Sequence, residues 1–152
     1  MDLQNRIRRL EDREMLRELR ATYCFLVDDG QFAELVERYF THDACCDFRM
    51  RSGNTDPLIS KGREEILAFF RNVVAGTLKD MSHTTHNHRI VVEEGRASGD
   101  CYFELTARDA DSSVPMIGAG RYLDEYQRDG DKWLFSQRNA DIFYIVALNQ
   151  GW

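Results

Sequence analysis

A chain of 152 residues with 43% hydrophobic and 11% aromatic content, and only 2 prolines, has the composition of one folded domain rather than of a disordered segment. Its formal charge of −6, from 20 basic and 26 acidic residues, supplies no net positive field, so neither nucleic acid nor a membrane surface is expected as a partner. The first twenty residues, from Met1 to Arg20, are studded with charge and lack the apolar run of a secretion signal. No stretch approaches the roughly 18–20 apolar residues that cross a bilayer, so a cytoplasmic location is expected.

Leu3, Ile7 and Leu10, then Leu16, Leu19, Tyr23 and Leu26, recur at three- and four-residue steps between charges and predict a long amphipathic helix. Asp28-Asp29-Gly30 should end it, because glycine tolerates the left-handed position after a helix. A short helix from Gln31 to about Tyr39 follows, and His42-Asp43 breaks its pattern. Ala44 to Met50 reads as a strand and Arg51 to Pro57 as turn. A third helix should start near Lys61-Gly62, carry Ile66, Leu67, Phe69, Phe70, Val73 and Val74 on its apolar side, and end by Gly76. The hydrophobic period then falls to two. Ser82–Glu93, Gly99–Arg108, Met116–Gln127 and Lys132–Ala140, running on towards Leu148, read as long strands, with Arg128-Asp129-Gly130-Asp131 as a hairpin turn.

Helices first and a meander of strands after them predict a single α+β domain over 1–152: a curved, mostly antiparallel sheet wrapped round the helices, with a pocket between. Strict alternation from Trp133 to Arg138 puts Trp133 and Phe135 on one face and Leu134, Ser136 and Arg138 on the other. Apolar weight on both faces predicts that a second copy of the chain covers the outer one. Cys24, Cys45, Cys46 and Cys101 show no CxxC spacing and read as small hydrophobes, with Cys45 and Cys46 facing opposite ways on their strand.

Few residues suggest chemistry. Arg138 is one: a cation on an inward strand face must meet a carboxylate or an anionic ligand, unless it lies exposed near a strand end. Asp28 and Asp29 oppose the dipole at a helix C-terminus, and adjacent helical positions point about 100° apart, so one can face inward while the other stays in water. Met81 to His88 holds His83, His86 and His88. On a regular strand His86 and His88 share a face and His83 takes the other. An HxH pair alone is too few ligands for zinc, so no metal is expected. GxGxxG, GxxxxGK[ST], HExxH and GxSxG are all missing, and Gly118-Ala119-Gly120 reads as a bulge or close backbone approach, not a phosphate cradle. Cofactor-free pocket chemistry is what remains.

The order of elements, together with Tyr23…Asp28-Asp29-Gly30, His83-Thr84-Thr85-His86-Asn87 and Tyr122-Leu123-Asp124-Glu125-Tyr126…Trp133-Leu134-Phe135-Ser136, resembles the SnoaL-like branch of the nuclear transport factor 2-like superfamily. The resemblance covers nearly the whole chain and implies an α+β barrel. Within that superfamily, scytalone dehydratase, hexachlorocyclohexane dehydrochlorinase and bile acid 7α-dehydratase are cofactor-free eliminating enzymes that share an Asp–His pair, which maps onto Asp28 and His83. The latter two are similar in a polar residue five before the aspartate, here Tyr23, and an arginine on the last strand, here Arg138. The resemblance thus implies a lyase. His83 is its general base, with His86 in that role if the strand begins with a bulge; Asp28 orients the base, and Tyr23 and Arg138 donate to a developing oxyanion or leaving group. Phe48, Phe103 and His86 would contact a small ring-bearing hydrophobic substrate, and the chain would work as a dimer or trimer. Double-bond isomerisation or C–C cleavage with the same base, a ligand-binding module and a dioxygenase small subunit are the alternatives.

Overall fold

The computed structural model describes residues 2–150. Helix α1 runs from Leu3 to Asp28; the Asp2 side chain caps it by accepting from the Asn5 N–H at 2.8 Å. Asp29 closes its far end and Gly30, at φ 69°, turns the chain away. Helix α2 (Phe32–Tyr39) buries Phe32, Leu35 and Val36. Strand β1 (Phe40–Met50), β2 (Leu58–Lys61), helix α3 (Gly62–Phe69), a π-helical turn (Phe70–Val74) and the short α4 (Ala75–Thr77) follow. Four long strands complete the fold: β3 (Leu78–Val92), β4 (Arg96–Asp109), β5 (Pro115–Asp129) and β6 (Lys132–Ala147).

The six strands form one sheet in the order β2-β1-β6-β5-β4-β3, antiparallel throughout except for the parallel pair β1·β6. The α+β class and the helices-then-sheet order are as expected, but the sheet is open, with β2 and β3 as its edges. Leu16, Tyr23 and Val27 of α1, Leu35 of α2, and Phe40 and Phe135 of the sheet form the core between helices and sheet. Among the described residues no helix is long and apolar enough to cross a membrane.

Several boundaries differ from the sequence reading. Leu3, Ile7 and Leu10 stay exposed: before Asp12, the first buried residue of α1, Arg9 reaches the sheet by donating to the Val92 carbonyl at 3.3 Å. There the Asp12 carboxylate accepts from the Trp133 indole at 3.1 Å and pairs with Arg128. Strand β1 starts at Phe40 rather than Ala44, and an irregularity between Phe40 and Cys45 absorbs His42-Asp43. Strand β2, too short to show a period, was not foreseen. Cys45 and Cys46 do split between half-exposed and buried, and all four cysteines are free thiols.

Bulges decide which side chains face the helices, and they overturn two expectations. Asn87 sits at φ 56° where the β3·β4 register slips between His86 and Arg89. The extra residue turns His88 inward to Arg20, while His86 before it is exposed against Tyr102, so His86 and His88 do not share a face. In β6, Tyr126 pairs with Phe135 and Glu125 with Gln137, which makes Ser136 the extra residue. Arg138 therefore returns to the face of Phe135, 4.6 Å from its ring, and not to that of Leu134.

Candidate active site

The last residue of α1 meets the middle of β3. The His83 backbone N–H donates to Asp28 Oδ2 at 2.9 Å, and the ring Nδ1 makes a short hydrogen bond to Oδ1. The helix terminus disfavours a carboxylate, and these two donors replace the water that would otherwise solvate it. The side chains are 8% and 14% exposed, while Asp29 next door lies in solvent. An ionised carboxylate only accepts, so Nδ1 carries a proton, and in a neutral ring Nε2 holds the lone pair. Nε2 makes no hydrogen bond among the described residues, and His83 forms part of the wall of a cavity of about 360 Å³.

The rest of that wall is mostly apolar. Tyr23 and Val27 come from α1, Phe48 from β1, Phe69 from the end of α3, Phe70 from the π-helical turn, and Phe103 and Tyr122 from β4 and β5. The π-helical turn gives one residue too many for an α-helical turn, and it lets Val73 and Val74 reach the same cavity as Phe69 and Phe70. Gly120 makes room on the other side: a Cβ there would stand 2.5 Å from the Phe103 ring, and the β5·β6 register slips beside it. Gly118-Ala119-Gly120 is thus the close approach its sequence suggested. The polar residues that line the cavity are the buried Tyr23 and Tyr122, the half-buried His83, and Thr55, Asp56 and Thr77, which are exposed.

Asp28, His83 and Tyr23 therefore come together with Phe48 and Phe103 around one space. His86 does not join them: the register is unbroken from His83 to His86, and three residues on from His83 it faces outward. Arg138 is not part of the wall either. Fully buried, it lies behind the wall with its guanidinium 3.7 Å from the ring centres of both Tyr23 and Tyr122. Its Nη1 donates to Asp124 at 3.2 Å, and Arg20 Nε reaches the same carboxylate at 3.4 Å. Tyr126 ties the group together, accepting from Arg20 at 2.6 Å and donating to Asp124 at 2.9 Å.

Burial sets the electrostatics here. It pushes the Tyr23 hydroxyl well up, with Tyr122 adding to the rise and the Arg138 charge opposing it. Tyr122 is raised for the same first reason, again against Arg138. The Cys24 and Cys46 thiols are pushed up to about 11 and about 12 by burial, so neither supplies a thiolate nucleophile near neutral pH. Burial works against the Arg138 charge, but Asp124 and the surrounding phenols more than offset it. Tyr122, Asp124 and Arg20 were not singled out as site residues from sequence. Tyr122, Asp124 and Tyr126 do stand at alternate positions of β5, and that period was the available signal.

Solved structures share this architecture. LinA, a hexachlorocyclohexane dehydrochlorinase, is 25% identical, with 94% of this chain and 93% of LinA covered and a TM-score of 0.79. A scytalone dehydratase-like protein from Novosphingobium aromaticivorans superposes with a TM-score of 0.79 over 94% of this chain and 91% of its own, at 17% identity. A protein of the same organism described as the beta subunit of an aromatic-ring-hydroxylating dioxygenase has a TM-score of 0.71 and 15% identity, over 86% of this chain and 88% of its own. The last two likenesses are ones of fold alone. No curated protein matches the chain. The SnoaL-like domain family matches residues 8–139, and the chain belongs to that family.

Proposed function

We propose that this protein is a cofactor-independent lyase that eliminates water or a related leaving group from a small, ring-bearing hydrophobic compound. One observation carries the reading: Asp28 holds both the backbone N–H and the ring Nδ1 of His83, while Nε2 is left unbonded on an apolar cavity. In this scheme Nε2 removes a proton from carbon. The electron pair left behind forms the double bond as the leaving group departs with its own pair, and Asp28 stabilises the imidazolium that results. Tyr23 donates to the leaving group or developing oxyanion, and the Arg138 charge behind its ring favours that donation. The likeness to LinA and to a scytalone dehydratase-like protein agrees with an eliminating role.

Turnover of a panel of cyclic alcohols and halides provides the test. His83→Ala and Asp28→Asn should each lower it by about 10²–10⁴-fold with circular dichroism unchanged; full activity in either variant overturns the reading. Product mass separates elimination from double-bond isomerisation, which conserves mass, and from C–C cleavage, which splits the substrate. A second reading follows the likeness to the dioxygenase beta subunit. It predicts co-purification with a large iron-containing partner. We also propose that a second copy covers the outer sheet face, where Val91, Tyr102 and Leu123 are exposed, with sedimentation equilibrium as the check.

A further inference from the structure

Helix α1 lies along β3, and side chains one helical turn apart join the two. Arg20 Nη1 donates to His88 Nδ1 at 2.9 Å, Cys24 meets the Thr85 side chain, and Asp28 accepts from both the backbone N–H and the ring of His83. Positions 20, 24 and 28 share one face of the helix, so these contacts form a single seam. Strand β3 is an edge of the sheet, paired only with β4, and that pairing slips between His86 and Arg89. The seam supports β3 where its ladder is interrupted.

Its two histidines answer a proton in opposite ways. His83 already gives its Nδ1 hydrogen to a carboxylate, so a second proton on the ring leaves that bond in place and adds a charge to it. A guanidinium only donates, so His88 Nδ1 accepts, and in the neutral ring Nε2 carries the hydrogen. A second proton on His88 sets donor against donor and cation against cation. Among the described residues no spare carboxylate offsets that charge. Arg20 and Arg138 already share Asp124, with all three side chains fully buried. Asp100 offers Arg20 its carbonyl at 3.5 Å, but its carboxylate is held by Arg89 and Arg121. The other titratable groups are Arg17 of α1 and His86 of β3 near His88, with Cys101 of β4 and Tyr126 of β5 beside Arg20. Burial first, then the Arg20 charge, hold the His88 imidazole below its ordinary range.

We propose that His88 is a positioning residue that acts as an acid-sensitive catch: neutral, it holds β3 on α1 so that Asp28 and His83 meet; protonated, it releases Arg20, and that contact is lost with it. The effect on turnover rests on the cavity being the site of an elimination; the catch itself does not. Because the folded value of His88 lies below the unfolded 6.5, opening the seam takes up a proton. The catch is therefore fully closed above pH ~6.5, and its opening equilibrium rises by up to about tenfold per pH unit below that.

Amide hydrogen exchange in the free protein, read by NMR from pH 8 to 5, tests this without turnover. In the wild type the protection of the His83 amide should fall by up to about tenfold per pH unit below ~6.5, while amides of β5 and β6 keep theirs. His88→Gln retains an acceptor for Arg20 that does not titrate, and there the His83 protection should not fall. Affinity for 4-nitrotoluene, an uncharged ring compound suited to the cavity, should follow the protection in both proteins, because β3 supplies part of the wall. If His88→Gln does not fold, the wild type decides alone: the His88 ring signals should shift over the range in which the His83 protection is lost. A His88 ring that takes its proton with that protection intact overturns the proposal, as does a loss of protection that persists in His88→Gln. In turnover, the acid limb of kcat/KM should approach a slope of about two in the wild type, one proton on His83 and one on His88, and about one in His88→Gln; equal slopes overturn the positioning role. A working lyase whose seam ignores pH sinks this inference alone, and a seam that opens as described in a protein without turnover sinks the elimination alone.

Discussion

Asp28 and Asp124 are both carboxylates taken out of water and held by cationic or proton-donating partners, yet their surroundings differ in one decisive way. Asp28 and its partner His83 lie beside a cavity, and one ring nitrogen of the pair is unbonded there. Asp124 is enclosed by Arg20, Arg138 and Tyr126 in solid packing, with no side open to a ligand. An ion pair with an open side is available for chemistry; a closed one acts on the site only through its field and through the stability of the fold.

Substitution should separate the two. Asp28→Asn leaves a residue of the same shape on the partly exposed side of α1, so turnover should fall by about 10²–10⁴-fold while the unfolding midpoint moves little. Asp124→Asn leaves two buried guanidiniums without a countercharge and should cost about 3–5 kcal/mol in urea unfolding. Equal losses of stability in the two variants would show that Asp28 is as structural as Asp124. A smaller effect is expected at Gly120, where an added Cβ would meet the Phe103 ring at 2.5 Å and the Asp141 carbonyl at 2.6 Å. Gly120→Ala should cost about 1–3 kcal/mol and narrow the cavity, lowering 4-nitrotoluene affinity together with stability.

The sequence was most readable where local rules act alone. The end of α1 at Gly30, the Gly130 hairpin and the two-residue period of β4 and β5 follow from residues within a few positions of one another. The parallel pairing of β1 with β6 does not, because it joins segments about ninety residues apart without a local signature. The bulges were equally hidden. Asn87 and Ser136 are not the glycines that usually announce an extra residue, and each reverses the facing of the strand beyond it. That is why His88 turns inward although regular alternation pairs it with the outward-facing His86, and why Arg138 sits with Phe135 rather than with Leu134. Asp28 and His83 were brought together by family resemblance, since nothing in their spacing of 55 positions implies contact.

A third carboxylate sharpens the comparison from the solvent side. Asp100, whose neighbour Gly99 pairs across the strands with Asp124, also sits between two arginines, Arg89 at 2.5 Å and Arg121. Like Asp124 it has two arginine partners, but they reach solvent, Arg89 most of all, whereas those of Asp124 are fully buried. Hydrogen bonding from Arg89, then from Arg121, lowers its carboxyl to about 2. Because the folded value lies below the unfolded one near 3.8, the stabilisation is complete above pH ~4 and is lost as pH falls towards 2. Solvent screens the pair, so the contribution should stay within about 1 kcal/mol and shrink in high salt. Asp100→Asn should therefore flatten the acid limb of the stability curve between pH ~4 and 2, with little change at neutral pH beyond that margin. An Asp100→Asn protein that lost as much stability at neutral pH as Asp124→Asn would mean that sharing a carboxylate between two arginines, and not its burial, sets the cost.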